Sequence, residues 1–250
     1  MKILVPIKRV PDTDTRIRLK GDGSVDWDGV KFVINPFDAI ALEEALRIGE
    51  KSGPVEIVVV SVGVEACVEQ LRTGLAMGAE RAILVRTDAA LDPLAVAKFL
   101  VAVCLKENPN LILMGKQATD DDASQVGPMM AALLGWGQAT FVSKVEFLEN
   151  NTRIRCERET DAGIETLTMS LPALLTTDLR LNEPRYVSLP GIMKARKKPL
   201  QEISLAEISQ TPSTRTRILK MEVPAKRKAG VRLAGVVELV DKLKNEATII

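Results

Sequence analysis

The sequence contains no histidine and only a single tyrosine. Without histidine, the chain cannot build a Ser-His or Cys-His nucleophile, an imidazole general base or a histidine-ligated metal site. Any chemistry would have to rest on carboxylates, lysines or a bound cofactor. The composition therefore argues against a self-sufficient hydrolase and favours a binding or cofactor-carrying role, and we expect no metal site.

Cysteines are also few, and hydrophobic runs are short. Cys67, Cys104 and Cys156 are widely spaced and odd in number, which is typical of reduced packing residues in a cytosol-like compartment. No apolar stretch approaches the length that spans a bilayer, and residues 1–8 are too short for a signal peptide. The net charge of +1 attracts neither nucleic acid nor an anionic membrane. We expect no nucleic-acid binding and no direct membrane insertion.

Up to Trp136, strand-like apolar runs alternate with segments of helical length. The predicted strands are residues 2–8, 55–62, 81–86 and 111–114, and the predicted helices are 37–51, 64–77, 93–106 and 129–134, with a hairpin over residues 12–34. This alternation predicts an α/β fold with a doubly wound, mostly parallel sheet.

After Trp136 the pattern changes to extended segments without helices between them. Residues 140–147, 152–159 and 165–175 indicate antiparallel strands added at one sheet edge, 204–208 a helical turn, 211–235 an extended arm and 236–247 a terminal amphipathic helix. We therefore divide the chain into an α/β domain (1–185), an irregular basic loop (186–200) and a C-terminal arm and helix (201–250).

Residues 115–135 form the stretch with the clearest functional signal. A glycine follows a predicted buried strand and opens through a polar turn into a helix, which is where open α/β sheets bind ligands. We expect the backbone amides at about residues 123–126, helped by the Ser124 hydroxyl, to bind a nucleotide phosphate. The three consecutive carboxylates at 120–122 fit a metal or acid-base cluster less well than helix caps that complement the helix dipole.

Two further turns are predicted at the same sheet edge. Residues 35–38 join a strand to a helix, with Asn35 as an N-cap and Pro36 at the first helical position. Residues 61–63 follow the second core strand. Helix capping alone explains the first turn, but three turns that converge on one crevice favour a nucleotide pocket.

Residues 189–193 are apolar and precede the basic run 194–198. A basic run without interleaved aromatic residues on a nearly neutral chain gives little support for nucleic-acid binding. Apolar residues on an exposed loop fit a protein-docking anchor, and the basic flank would steer an acidic partner.

Taken together, these motifs resemble the electron transfer flavoprotein beta subunit, and the resemblance covers nearly the whole chain. It rests on residues 2–10, 35–38 with 42–45, 74–79, 115–118 with the acidic run, 158–176 and 178–186 before Leu189 and Pro190. The resemblance implies a heterodimer with an alpha subunit that holds the electron-carrying FAD, and a C-terminal arm that contacts that subunit. It also implies an electron carrier that accepts electrons from acyl-CoA dehydrogenases and related flavoenzymes and passes them to a quinone oxidoreductase.

The same resemblance implies which residues bind the cofactor and the partner. The cofactor-binding residues would be Pro6, Asn35, Pro36, Phe37, Asp38, Val62, Gly115, Lys116, Gln117, Ala118, Thr119, Asp120, Asp121, Asp122, Ala123, Ser124, Gln125 and Val126. The dehydrogenase-binding residues would be Leu189, Pro190, Ile192 and Met193, with Leu189 as the anchor. Phe37 would lie beside the flavin of the alpha subunit.

The identity of the beta subunit's own nucleotide rests on the turn. Flavin-holding, electron-bifurcating members of the family usually have glycine where this chain has Asp121, and the Asp121 side chain would crowd a flavin extension. Val126 and Pro128 are common in that flavin type. We expect AMP. The alternative is the beta subunit of an electron-bifurcating member, which holds a second FAD and oxidises NADH. We expect the protein in a bacterial cytoplasm or a mitochondrial matrix. A stand-alone nucleotide sensor of the universal stress type is a third possibility, against which the long segment after Trp136 speaks.

Overall fold

A computed structural model describes residues 1–208, 214–225 and 229–250. The strands are β1 (Lys2–Pro6), β2 (Arg9–Pro11), β3 (Arg18–Leu19), β4 (Val25–Asp26), β5 (Phe32–Ile34), β6 (Glu56–Gly63), β7 (Arg81–Arg86), β8 (Leu111–Gly115), β9 (Gly137–Leu148), β10 (Arg153–Thr160), β11 (Gly163–Ser170), β12 (Ala173–Thr177) and β13 (Leu200–Ser204). The helices are α1 (Pro36–Ser52), α2 (Val68–Met77), α3 (Pro93–Glu107), α4 (Val126–Leu134), α5 (Leu189–Ala195) and α6 (Val236–Asp241), with 3-10 turns at Glu65–Cys67 and Ala206–Ile208 and a π-helical turn at Lys242–Glu246.

A nine-stranded sheet organises the fold, in the order β11-β10-β9-β12-β8-β1-β6-β7-β13. Neighbouring strands are parallel throughout the part β9-β12-β8-β1-β6-β7-β13. Beyond β9, the strands β10 and β11 add antiparallel ladders. The predicted fold class, a doubly wound and mostly parallel sheet with antiparallel additions, is confirmed. The first hairpin is also present, as the short ladders β2–β5 and β3–β4.

Helices cover both faces of the parallel strands, which explains why these strands are apolar on both sides. In β1, Ile3 and Val5 pack on the face covered by α1 and α2, while Leu4 packs on the face covered by α3 and α4. This alternation follows from the two-residue repeat of a strand. The result is two buried cores that hold the carboxyl ends of the strands at one edge.

The helix boundaries follow from local signals. α3 begins where the Asp92 side chain accepts a hydrogen bond from the Ala95 amide at 2.9 Å, and it ends at Asn108, which is left-handed. α2 ends at Gly78, whose φ of 148° suits glycine. These boundaries agree with the predicted ones, whereas α4 begins at Val126, three residues before the predicted start at residue 129.

Three sequence predictions differ from the structure. The segment 165–175 is not one strand but parts of β11 and β12, separated at Leu171 and Pro172, and β12 lies inside the parallel sheet. β13 was not predicted and pairs with β7. The irregular segment after residue 186 contains the helix α5, because Ser188 caps it and Pro190 occupies its first turn.

The chain forms two compact units, one of Met1–Ile17 with Trp27–Ile218 and the other of Arg18–Asp26 with Leu219–Ile250. Of the predicted arm, residues 211–213 and 226–228 lie outside the described residues, and its described remainder carries no helix or strand. The terminal helix is present as α6 and the π-helical turn. No helix in the described ranges is long and apolar enough to cross a membrane. Our division into domains stays a prediction.

Candidate ligand-binding site at the switch point of the sheet

A cavity of about 300 Å³ opens at the carboxyl edge of the sheet. It lies at the end of β1. The next strand of the large sheet along the chain, β6, pairs with one side of β1, and the later strand β8 pairs with the other side. In open α/β sheets such a reversal of strand order leaves a crevice, and ligands bind there. The three predicted turns meet at this cavity, since Asn35, Val62 and Gly115 all line it.

The carboxylate of Asp38 joins the two strands at this point. Its Oδ2 accepts a hydrogen bond from the Lys8 amide at 2.8 Å, and its Oδ1 accepts one from the Gly115 amide at 2.9 Å. Burial raises the pKa of Asp38 to about 7, against the lowering effect of these hydrogen bonds. Asp38 therefore fixes the spacing between the exits of β1 and β8.

Gly115 makes this arrangement possible. A Cβ atom at this position would lie 2.5 Å from Asp38 Oδ1 and 2.9 Å from the backbone carbonyl carbon of Phe37. The Thr177 hydroxyl adds a second tie, because it donates to the Phe37 carbonyl at 3.0 Å. The start of α1 is therefore packed directly on the end of β8, and this contact lies next to the cavity.

Asn35 has a different role from the one predicted. Its side chain makes no capping hydrogen bond to α1. Instead its Nδ2 donates to the Gln117 carbonyl at 2.8 Å, and its Oδ1 accepts from the Thr119 amide at 3.3 Å. The residue is buried and holds the loop after β8 in place, so simple helix capping is the wrong explanation of this turn.

The acidic run also differs from the prediction. Lys8 Nζ donates to Asp120 Oδ1 at 2.8 Å and to Asp121 Oδ2 at 2.9 Å, while Asp122 accepts from Gln117. Burial alone would lower the pKa of Lys8, but the two carboxylates outweigh burial and raise it. None of the three carboxylates caps α4, whose N-cap is Gln125. Two of the acids pair with the lysine that follows β1, the third accepts from Gln117, and none of them serves as a helix cap.

The start of α4 faces the cavity with unpaired backbone donors. The Met129 amide makes the first α-helical hydrogen bond, to Gln125 O at 3.1 Å, and Pro128 has no amide hydrogen. The amides of Val126 and Gly127 therefore remain as the donors that a helix start leaves without an intrahelical partner. Both residues line the cavity. This is the local structure that binds phosphate or another anion.

The cavity brings most of the predicted cofactor-binding residues together. Those that line it are Pro6, Asn35, Asp38, Val62, Gly115, Lys116, Gln117, Ala118, Asp121, Ala123, Ser124, Gln125 and Val126. Pro36, Phe37, Thr119, Asp120 and Asp122 are not in its lining. Phe37 is buried beneath Gly115, and its ring lies 5.3 Å from Lys116 Nζ, which also pairs with Asp178 at 2.6 Å.

Several lining residues were missed by sequence reasoning. They are Lys8 and Gly127, together with the apolar residues Val60, Leu91, Val96, Leu100 and Met114. A signal existed for Gly127, because a glycine in the turn just before a predicted helix marks a bend or a close approach of the backbone. A Cβ atom there would lie 2.5 Å from Thr176 Cγ2. The apolar residues carry no such signal, because they resemble ordinary core.

The predicted partner-binding residues lie elsewhere, on α5. Leu189 is 79% exposed and Met193 is 67% exposed, and Ile192 is also exposed. These side chains form an apolar surface beside the exposed cations Lys194, Arg196 and Lys197.

The described residues offer few other groups for metal binding or nucleophilic chemistry. Among the described residues, no group of His, Cys, Asp or Glu side chains is arranged to hold a metal ion. The three cysteines are buried and unpaired, and burial raises the pKa of Cys104 and of Cys156 to about 12. These thiols are therefore poor nucleophiles.

Comparisons with known proteins show which family the chain is similar to. Residues 23–208 match the family described as the electron transfer flavoprotein domain. The chain is 53% identical to the electron transfer flavoprotein subunit beta of Bradyrhizobium diazoefficiens over the full length of both. It is 51% identical to the mitochondrial subunit beta of Arabidopsis thaliana, again over the full length of both. It is 47% identical to the subunit beta of Bos taurus, over 98% of this chain and 97% of the relative.

Proposed function

The chain belongs to the electron transfer flavoprotein beta-subunit family, whose members take part in electron transport as carriers and not as enzymes, and we propose that it binds AMP in the switch-point cavity. The observation that carries this proposal is that the cavity is lined both by the start of α4, with the amides of Val126 and Gly127, and by apolar side chains from β6, α3 and β8. A nucleoside monophosphate likewise combines an anionic phosphate with an aromatic base.

The phosphate fits the start of α4. The amides of Val126 and Gly127 donate to it, and the positive end of the helix dipole stabilises its charge. Ser124, held in a left-handed conformation with φ of 52°, offers its hydroxyl from the preceding turn. Lys8 offsets one of the two negative charges of Asp120 and Asp121, which weakens the repulsion between the acidic loop and an anion.

The adenine ring fits against the apolar side chains that α3 contributes. Leu91 lies in the turn before α3, and Val96 and Leu100 lie on the helix. Flat aromatic groups bury well between such side chains, since the gain in free energy follows the apolar area removed from water.

AMP suits the cavity better than FAD does. The volume of about 300 Å³ is at the lower end of the range for small-molecule sites. FAD adds a second phosphate, a ribityl chain and a flavin ring to the AMP unit. Asp121, which lines the cavity and is joined to Lys8 at 2.9 Å, occupies space that such an extension would need. Val126 is common in the flavin type, and for this reason a second FAD remains the alternative ligand to AMP.

The remaining roles follow from the family. An alpha subunit pairs with this chain and holds the FAD that carries the electrons, while the beta subunit shields that flavin. The apolar surface of α5, with Leu189 and Pro190 at its start, docks acyl-CoA dehydrogenases or related flavoenzymes, and a quinone oxidoreductase accepts the electrons. Since the relatives are a bacterial protein and mitochondrial proteins, we place this chain in a bacterial cytoplasm or a mitochondrial matrix.

Ligand identity tests the proposal. The chain is co-expressed with its alpha subunit, the purified heterodimer is denatured, and the released nucleotides are quantified. We expect one FAD and one AMP per heterodimer. Two FAD and no AMP would move the protein to the electron-bifurcating type. A monomer that binds ATP without a flavoprotein partner would contradict the proposal altogether and favour a nucleotide sensor.

A further inference from the structure

The docking helix α5 needs tertiary contacts in addition to the local signals of Ser188 and Pro190. It has seven residues and contains Pro190 and Gly191, and helices this short are unstable in water without tertiary contacts. Its outward side is apolar and exposed, so the contacts that hold it must lie on the inward side. That side faces α2, whose Ala76 carbonyl would lie 2.7 Å from a Cβ atom at position 191.

One support comes from α2 to the end of α5. The Arg72 guanidinium, through a single nitrogen, donates to the carbonyl of Ala195 at 2.7 Å and to the carbonyl of Lys198 at 2.9 Å. Both carbonyls belong to the C-terminal end of α5 or to the turn directly after it. The last carbonyls of a helix lack intrahelical partners, and a cation there is favoured by the helix dipole. Arg72 therefore closes the end of α5.

The second support runs in the opposite direction. Lys198 follows α5, and its ammonium donates to the carbonyls of Leu75 at 3.2 Å, Gly78 at 3.2 Å and Ala79 at 2.5 Å. These carbonyls form the C-terminal end of α2. Each helix thus has its carbonyl end bound by a cation that the other helix or its extension supplies.

We propose that Arg72 and Lys198 form a reciprocal clamp that positions the docking helix, so that Leu189 and Met193 are presented in one fixed arrangement before a partner arrives. The proposal rests on the docking role given to α5 under the proposed function. Neither residue touches the partner-binding side chains through its clamp contacts. Their effect on docking is exerted through the backbone of α5.

A fixed helix affects docking in a specific way. When only a fraction of molecules holds the binding-competent arrangement, the apparent affinity falls by that fraction. The chemistry within the docked complex is unchanged. Loss of the clamp should therefore raise the KM of the dehydrogenase for the heterodimer while leaving kcat nearly the same.

Two measurements on the complete heterodimer test the clamp. Hydrogen exchange of the amides in residues 188–198 measures whether α5 opens, and steady-state electron transfer from an acyl-CoA dehydrogenase measures docking. Arg72→Gln and Lys198→Gln act on opposite ends of the clamp, so each variant alone should loosen α5. We expect exchange to be about tenfold faster in each, because each loses hydrogen bonds from a charged donor, and KM to rise several-fold at unchanged kcat.

The controls separate the clamp from charge and from folding. Lys194→Gln removes the same charge from an exposed position on α5 and should leave the exchange rates unchanged. Arg72→Lys should restore slow exchange in part, because an ammonium can still donate to both carbonyls. The AMP content of all variants should match the wild type.

The outcomes distinguish the clamp from the docking role. Unchanged exchange in both Gln variants would overturn the clamp. Faster exchange with an unchanged KM, in a protein where Leu189→Ala does raise KM, would overturn its role in docking. If Leu189→Ala itself has no effect on electron transfer, the docking role of α5 fails, while the exchange result still decides whether the clamp exists.

Discussion

The two functional regions of this chain use helix ends in opposite ways. At the cavity, the N-terminal end of α4 is left open, with the amides of Val126 and Gly127 free for a ligand. At the proposed docking surface, the C-terminal ends of α2 and α5 are closed by Arg72 and Lys198. We propose that the open helix end binds a small anion and that the closed ends give a rigid support for a large partner.

The two regions also differ in what surrounds them. Beside the cavity, Asp38 and Asn35 are buried and have several partners each. The apolar side chains of α5 that we propose to bind a partner are exposed. Substitutions at the buried residues should therefore cost stability and ligand together, substitution of the partly exposed Lys8 should cost mainly ligand, and substitutions on α5 should cost neither. The predictions below run from the largest expected change in the free energy of unfolding to the smallest.

Gly115→Ala should have the largest effect. The added Cβ would lie 2.5 Å from Asp38 Oδ1 and 2.9 Å from the backbone of Phe37, so the start of α1 must move away from β8. Overpacking of this kind costs about 3 kcal/mol, and AMP binding should be lost with it. Urea unfolding and calorimetric titration with AMP measure the two effects.

Gly49→Ala is the matched control for Gly115→Ala. It lies in α1, and its Cβ would meet only Val55 at 3.6 Å, an ordinary contact. An alanine inside a helix should stabilise the protein by about 0.5–1 kcal/mol relative to glycine. Equal effects of the two substitutions would mean that the contact between α1 and β8 does not shape the cavity.

Asp38→Asn should have the next largest effect, of about 1–3 kcal/mol, because one amide oxygen cannot accept from both the Lys8 and the Gly115 amides. The wild type should also show a pH dependence that the variant lacks. Burial raises the pKa of Asp38 to about 7 in the folded protein, above the usual pKa of 3.8. The folded state therefore holds the proton more tightly than the unfolded state.

Asp38 stabilises the folded protein most at low pH. The contribution of Asp38 to stability is complete below about pH 4 and falls by about 1 kcal/mol per pH unit as the pH rises to about 7, where the loss levels off. Urea unfolding of wild type and Asp38→Asn between pH 5 and pH 8 should show the difference narrowing as the pH rises. A constant difference over this range would contradict the raised pKa.

Much of the cavity was predictable because its signals are local. Asn35, Pro36, Gly63 and Gly115 mark chain turns by their conformational preferences, and parallel strands place such turns at one edge. Lys8 was missed because its partners lie 112 and 113 residues away along the chain, and no local pattern indicates them.

The docking region was less predictable for the same reason. Pro190 and Gly191 indicated a loop, and the contacts that make this segment helical come from Arg72, far away in the sequence. β13 was missed because three of its five residues, Gln201, Glu202 and Ser204, are polar and exposed, and it lacks a β-branched run, so only its pairing with β7 defines it. Side chains that act across the fold are what local sequence patterns leave out.

Lys8→Met should change stability by less than about 1 kcal/mol, because the lysine is 43% exposed and pairs with carboxylates that are also partly exposed. Its main effect should be on the ligand. Asp120 and Asp121 would then repel the phosphate, and AMP affinity should fall about tenfold at low salt and less at high salt. Calorimetric titration with AMP at two salt concentrations measures this.

Two further variants test the assignment of Lys8. Lys31→Met removes the same charge from an exposed pair with Asp12 and should leave AMP affinity unchanged. Lys8→Met combined with Asp121→Asn should regain part of the lost affinity, because the unpaired charge is removed. A double variant as weak as Lys8→Met alone would show that the lysine does not act by neutralising the acidic loop.

Leu189→Ala should have the smallest effect on stability, within about 0.5 kcal/mol of the wild type, because its side chain is 79% exposed. Bound FAD and AMP should also be unchanged. Electron transfer from an acyl-CoA dehydrogenase should nevertheless slow markedly, since an interface anchor often costs about 2 kcal/mol of binding or more when it is truncated. Leu105→Ala, an equally simple truncation of a leucine that is 70% exposed on α3, should leave transfer unaltered. Equal transfer rates for the two variants would show that Leu189 is not an interface anchor. The contrast between a cavity formed by this chain alone and a surface that functions only with a partner would then be lost.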